Sequence, residues 1–167
     1  MNIFMPEITC GNSVQTLDDR RLIKQILECR QIVEANRRIK AGETKVGWAS
    51  HPVVRFYRDK EAFVLFYGLS ACYEYSYRFD KHHAYEEWFN KEYYGHHWLG
   101  LDYNIIYCEK RDGGLYEAKI EYDYTDTDEP NRIHREFRDK LIKKWGNDKS
   151  SPKWTNRHRP TWYENKE

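Results

Sequence analysis

The chain has 167 residues, 40% of them hydrophobic and 16% aromatic, with a net charge of +1 and a mean hydropathy of −1.00. That length supports one domain with a real core, and no apolar run approaches the length of a membrane span. The opening MNIFMPEITC has neither the basic nor the long apolar region of a signal peptide, and Cys10, Cys29, Cys72 and Cys108 show no CxxC spacing, so free thiols in a reducing, cytoplasmic compartment are expected.

Residues 1–15 read as an extended lead-in whose Ile3 and Phe4 dock on the core and pin the amino end near the helix that follows. Thr16 with Asp19 resembles a capping box opening a long helix that ends at Ala41-Gly42. Leu22, Ile26, Cys29 and Val33 form its apolar stripe; Arg21, Lys24, Gln25, Glu28 and Gln31 form a second stripe beside it. Glu28 falls at the border between core and solvent, among cations, where a carboxylate can be held ionised and aimed at a positive centre. The plainer alternative is a Lys24–Glu28 surface ion pair contributing a few tenths of a kcal/mol.

His51-Pro52 opens a second helical region running to about Arg78, with Val53, Phe56, Tyr57, Phe63, Phe66, Tyr67, Ser70 and Tyr73 on its buried side. Lys81–Leu99 is aromatic and histidine-rich and predicts a short helix. The pairs His82-His83 and His96-His97 are adjacent rather than four apart, and no cysteine or carboxylate completes a metal set. Tyr103–Glu109 and Leu115–Tyr124, joined by Arg111-Asp112-Gly113-Gly114, predict one antiparallel hairpin within an insertion over 101–124. Asn131–Trp145 returns to helix, with Ile133, Phe137, Leu141 and Trp145 on one side; residues 146–167 read as an irregular tail. No linker or repeat divides the chain, which is expected to form a single domain over 1–167.

Charge is unevenly spread. Arg132–Arg159 carries ten basic and three acidic residues, and Leu17–Lys45 eight and five, whereas Val46–Asn131 carries nine and sixteen. A nucleic-acid face with an acidic back would look like this, and so would solvated helices with incidental bias. The tail from Lys153 to Tyr163 alternates cations (Arg157, Arg159) with aromatics (Trp154, Trp162, Tyr163), a pattern that grips phosphates and stacks on bases; the alternative is that Trp162 and Tyr163 clamp the tail to the core.

Three segments in one order carry a family resemblance: Leu17-Asp18-Asp19-Arg20-Arg21-Leu22 through Glu28, Gly47 through Tyr57 (GWASHPVVRFY), and the ending Arg159-Pro160-Thr161-Trp162-Tyr163. They resemble the pyrimidine dimer DNA glycosylases of the phage endonuclease V type. The resemblance implies a mainly α, compact single-domain fold, here with the antiparallel β-hairpin added. It implies excision of a damaged or modified pyrimidine from double-stranded DNA, with the nucleotide turned out of the stack, followed by AP lyase nicking through an imine on the N-terminal amine. An α-amine has an ordinary pKa of about 7.7–8.0, so a useful fraction is unprotonated at neutral pH. Glu28 aligns with the family's glutamate and would stabilise the oxocarbenium-like sugar and move protons.

In the archetype the amine belongs to a threonine exposed by methionine removal. Here Asn2 follows Met1, and its size favours retention of Met1, whose own amine becomes the expected nucleophile. Arg21, Lys24, Gln25, Gln31, His51, Arg55, His134, Arg138, Arg157, Arg159, Trp162 and Tyr163 form the expected DNA contacts, the alternatives being a cap or packing role at the second helix for His51 and a solvated surface place for His134; no metal or cofactor, a monomeric state and a host cytoplasm if the protein is phage-encoded are expected. Two other classes stay open: a non-catalytic nucleic-acid or nucleotide-binding module on the same scaffold, and a phage factor that binds a host protein.

Overall fold

The computed structural model describes residues 1–96, 109–110, 116–117 and 129–164. The dominant element is α2 (Asp19–Lys40), whose Leu22, Ile26, Cys29, Ile32 and Val33 are buried at helical spacing. It stops where Ala41 caps it and Gly42 takes φ +83°, a conformation that glycine adopts without strain. The second core helix, α4 (Glu61–Phe79), is apolar on most sides and packs against α1 (Cys10–Thr16), α2 and α5 (Glu86–His96). A Cβ at Gly68 would run into the Phe89 ring, so glycine there sets the close approach of α4 to α5.

Several expectations are corrected. Residues 10–16 are not extended but form α1, capped by the Thr9 side chain, which accepts from the Asn12 amide at 3.1 Å. The end of α1 is stabilised from outside. Arg78, fully buried on α4, donates to the carbonyls of Val14, Gln15 and Leu17 at and just past the helix end, where carbonyls lack a full set of intrahelical partners. Thr16 is the last residue of α1, its hydroxyl donating to the Ser13 carbonyl at 2.7 Å, and does not cap α2. Asp18 takes the N-cap position of α2 without a side-chain cap bond, and the Asp19 carboxylate accepts from Thr155 and Arg78.

The helix expected from Pro52 to Arg78 is broken at 57–60 into α3 (Pro52–Phe56) and α4. That break turns Phe56 outward, and Tyr73 is exposed as well, against the expectation of buried positions.

α6 (Glu129–Gly146) buries Leu141 and Trp145 and half-buries Ile133 and Phe137. Within the tail expected to be irregular lies a short turn of helix, α7 (Thr161–Glu164). β1 (Glu109–Lys110) pairs antiparallel with β2 (Tyr116–Glu117) through Glu109↔Glu117 and Lys110↔Tyr116; the rest of the expected hairpin lies outside the described residues. Cys10, Cys29 and Cys72 are buried and form no disulfide with one another. Among the described residues, no helix is long and apolar enough to cross a membrane.

Candidate active site

Residues 21, 24, 25 and 28 fall within two turns of α2 and share a side. The amino-terminal segment lies across them. Its path is set by Gln25, which accepts the Phe4 N–H at 3.0 Å and donates to the Asn2 carbonyl at 2.6 Å. That register brings Met1 and Asn2 to Glu28. One carboxylate oxygen, Oε1, faces the Met1 nitrogen at 3.5 Å and Lys24 Nζ at 3.8 Å; the other, Oε2, accepts from the Asn2 N–H and from Gln25 Nε2, each at 3.0 Å. Glu28 is therefore buried, not at the border as its helical position suggested. The Met1 side chain is only 2% exposed although the residue as a whole is partly open, so its contact with solvent lies on the backbone.

These groups form one wall of a cleft of about 570 Å³. The opposite wall is Lys144 at the end of α6 with Asn147 and Asp148 just beyond it. Arg20 and Arg21 join the two walls. Arg21 donates to Asp18 at 3.1 Å and to Asp148 at 2.7 Å, while Trp145 donates to the same Asp18 oxygen at 2.7 Å. The hydrogen bond from Arg21 holds the Asp148 carboxyl below its ordinary range. Sequence reasoning passed over Arg20, Lys144, Asn147 and Asp148; Arg20 stands on α2 beside the stripe, and the signal for the other three was the basic run along α6, which does not say where the helix ends in space.

Of the residues expected to serve the site, Met1, Asn2, Arg21, Lys24, Gln25 and Glu28 are brought together in this cleft. Gln31 lies one turn beyond Glu28, half-buried and outside the cleft lining. His51 caps α3 by accepting the Val53 amide at 3.2 Å, and Arg55 lines a separate shallow depression with Phe56 and Arg58.

His134, Arg138 and Trp162 hold the amino-terminal segment. The His134 Nδ1 meets the Met5 carbonyl at 2.6 Å, which requires the ring proton on that nitrogen. Arg138 donates to the Pro6 carbonyl at 2.8 Å and to the Glu7 carboxylate at 2.9 Å, and Trp162 donates to Glu7 at 3.0 Å.

Trp162 stacks on Trp145, and Tyr163 meets Trp145 edge-on, so both tail aromatics pack against α6. Arg157 makes a two-bond pair with Glu74, and Arg159 is exposed with its guanidinium 5.9 Å from the Tyr163 ring.

Of the paired histidines, His82 meets Glu86 at 3.0 Å and His83 accepts the Tyr85 amide at 3.1 Å. Among the described residues, no three side chains group as metal ligands.

An amine at the cleft, a buried carboxylate beside it and several cations around them suit chemistry on an anionic substrate whose reacting atom becomes electron-poor. Residues 1–87 match the family described as pyrimidine dimer DNA glycosylase. No curated protein and no solved structure matches the chain.

Proposed function

From the premise that this chain belongs to the pyrimidine dimer DNA glycosylase family, we propose that it excises a damaged or modified pyrimidine from double-stranded DNA and then nicks the strand as an AP lyase. The observation that carries this reading is the 3.5 Å approach of the Met1 nitrogen to Glu28 inside a cationic cleft. In the proposed sequence the unprotonated amine attacks C1′ of the lesion nucleotide, and the glycosidic bond breaks with its electron pair leaving on the base. The amine loses its proton, the sugar ring opens, and the nitrogen and C1′ become an imine. Removal of a C2′ proton then expels the 3′ phosphate by β-elimination. Glu28 stabilises the positive charge that develops at C1′ and the iminium nitrogen, and it accepts and returns the protons. Lys24, Arg20 and Lys144 are suited to the flanking phosphates. Turning the nucleotide out of the stack gives the amine its access.

The Asn2 nitrogen already lies 3.0 Å from Glu28. Removal of Met1 would therefore leave an α-amine beside the same carboxylate, and the scheme accommodates either residue as the nucleophile. Borohydride trapping decides the matter. The protein, mixed with DNA containing an abasic site and reduced, should form a covalent adduct that peptide mapping assigns to the first residue of the mature chain. Absence of an adduct, with DNA still bound, would leave the non-catalytic binding module in its place.

A further inference from the structure

The amino-terminal segment has no strand partner among the described residues, and side chains from three helices bond several of its backbone groups. Gln25 serves Asn2 and Phe4, Tyr67 donates to the Phe4 carbonyl at 2.6 Å, His134 serves Met5 and Arg138 serves Pro6. Gln25 also donates to Glu28, so one side chain fixes both members of the amine–carboxylate pair.

The chemistry demanded there is narrow. The Phe4 N–H needs an acceptor, whereas the Asn2 carbonyl and the Glu28 carboxylate both need donors. A carboxamide supplies one acceptor and two donors on a single flat group. The orientation of this amide is forced, because a reversed amide would set its oxygen against two oxygens and its NH₂ against an N–H. Gln25 borders the cleft but is only 1% exposed, and its amide is committed to Phe4, Asn2 and Glu28, which leaves no water to substitute for a lost partner and no open polar group to offer DNA.

We propose that Gln25 is the positioning residue of the imine-forming pair: it sets the amine and Glu28 at reacting separation and contacts no part of the substrate. This inference rests on the reading above that an N-terminal amine attacks C1′. Reacting groups held on separate pieces of chain lose rate steeply when their register slips, by about 10²-fold for a displacement of about 1 Å.

Two variants test it, each measured by single-turnover borohydride trapping, by affinity for DNA bearing an uncleavable abasic analogue, and by thermal melting. Gln25→Met keeps the volume and removes all three hydrogen bonds. It should trap roughly 10- to 100-fold more slowly at every pH while binding the analogue within about threefold of wild type.

Gln25→Glu keeps the shape and the acceptor for Phe4 but presents oxygen to Asn2 and Glu28. When ionised it fails as Gln25→Met does; when protonated its hydroxyl donates again. Its deficit relative to wild type should therefore narrow as pH falls from 8 toward about 5.5, a pH signature that a packing role would not produce. Should Gln25→Met not fold, Gln25→Glu alone carries the test.

Trapping at the wild-type rate by a folded variant, or a Gln25→Glu deficit that does not change with pH, would overturn the proposal. If instead wild type itself gives no adduct at its first residue, the failure belongs to the glycosylase reading and not to Gln25.

Discussion

Glu28 on α2 and Glu74 on α4 are both almost fully buried carboxylates, 6% and 5% exposed, on the two helices that make the core. Burial does not tell them apart; their partners do. Glu74 is enclosed by guanidinium groups, taking Arg78 Nε at 2.7 Å and two bonds from Arg157 at 2.8 Å. Arg78 in turn is consumed by Asp19 and the α1 carbonyls. Every group in that cluster is committed, and the arrangement ties α4 to α1 and to the tail. Glu28 has two amide-type donors on one oxygen and, on the other, among the described residues, the Met1 amine and the exposed Lys24 at the longer distances of 3.5 and 3.8 Å. One oxygen is fixed and the other faces a cleft. A buried carboxylate that keeps an unsaturated oxygen over a cavity is poised for a reactant, and a buried carboxylate saturated by arginine is a structural joint.

Exchanging each carboxylate for its amide separates the two roles most sharply. Glu28→Gln should lower strand cleavage by roughly 10²- to 10³-fold in single-turnover assays, leave binding of lesion DNA intact and change the melting temperature little. Ordinary cleavage by that variant would remove Glu28 from the mechanism. Glu74→Gln should do the reverse. It strips charge from a cluster that keeps Arg78 fully buried, and should cost about 3 kcal/mol in denaturant unfolding while the folded fraction cleaves at the wild-type rate. If Glu74→Gln instead lost activity without losing stability, the contrast between the two sites would collapse.

The sequence exposes α2 well, because 22 residues repeat the helical period several times and the capless start matters little over that length. The spacing of Arg21, Lys24, Gln25 and Glu28 is likewise a local property. α1 is illegible for the opposite reason: seven residues, CGNSVQT, give no period, and its end is completed by Arg78 more than 60 positions away.

The amino-terminal strap is hidden in the same manner. Tyr67, His134 and Arg138 reach it from 63 to 132 positions along the chain, and no spacing announces such pairs. Composition correctly singles out the tail as basic and aromatic, but it does not distinguish a ring that meets a base from one that stacks on Trp145. The far wall of the cleft depends on where α6 stops against α2, a tertiary fact carried by pairs such as Arg21–Asp148 and Trp145–Asp18 that no spacing announces.

Trp162 sharpens the comparison from a second direction, because its indole joins the tail to the segment that carries the amine. Half-buried on Trp145 and bonded to Glu7, it should cost about 2 kcal/mol when cut to alanine, less than a fully enclosed tryptophan. Cleavage should fall modestly, through a looser Glu7 and hence a looser amino end. Affinity for lesion DNA should change less than stability does. A large loss of affinity with unchanged melting would return Trp162 to the DNA-contacting set.

The smallest effect concerns pH. Burial pushes the His134 imidazole below its ordinary value, against a weaker upward pull from its bond to Met5 and from Glu7, while Arg138 adds to the depression. The folded state therefore prefers the neutral ring. The unfolded chain binds a proton at about pH 6.5, before the folded one does. The stability this group contributes is accordingly complete above that pH and is lost as pH falls from about 6.5 through the lower folded value.

Because His134 holds Met5 beside the amine–carboxylate pair, the loss should appear first as loosening of the amino-terminal segment. Hydrogen exchange of the Phe4 and Met5 amides should quicken between pH 6.5 and 5, and the overall melting temperature should drop by about 2 °C more than that of His134→Gln over the same range. Glu28 and Gln25 lie on a helix that does not contain this imidazole, so amides in the middle of α2 should keep their protection while the strap loosens. Equal acid sensitivity in wild type and His134→Gln would assign the loosening to other groups.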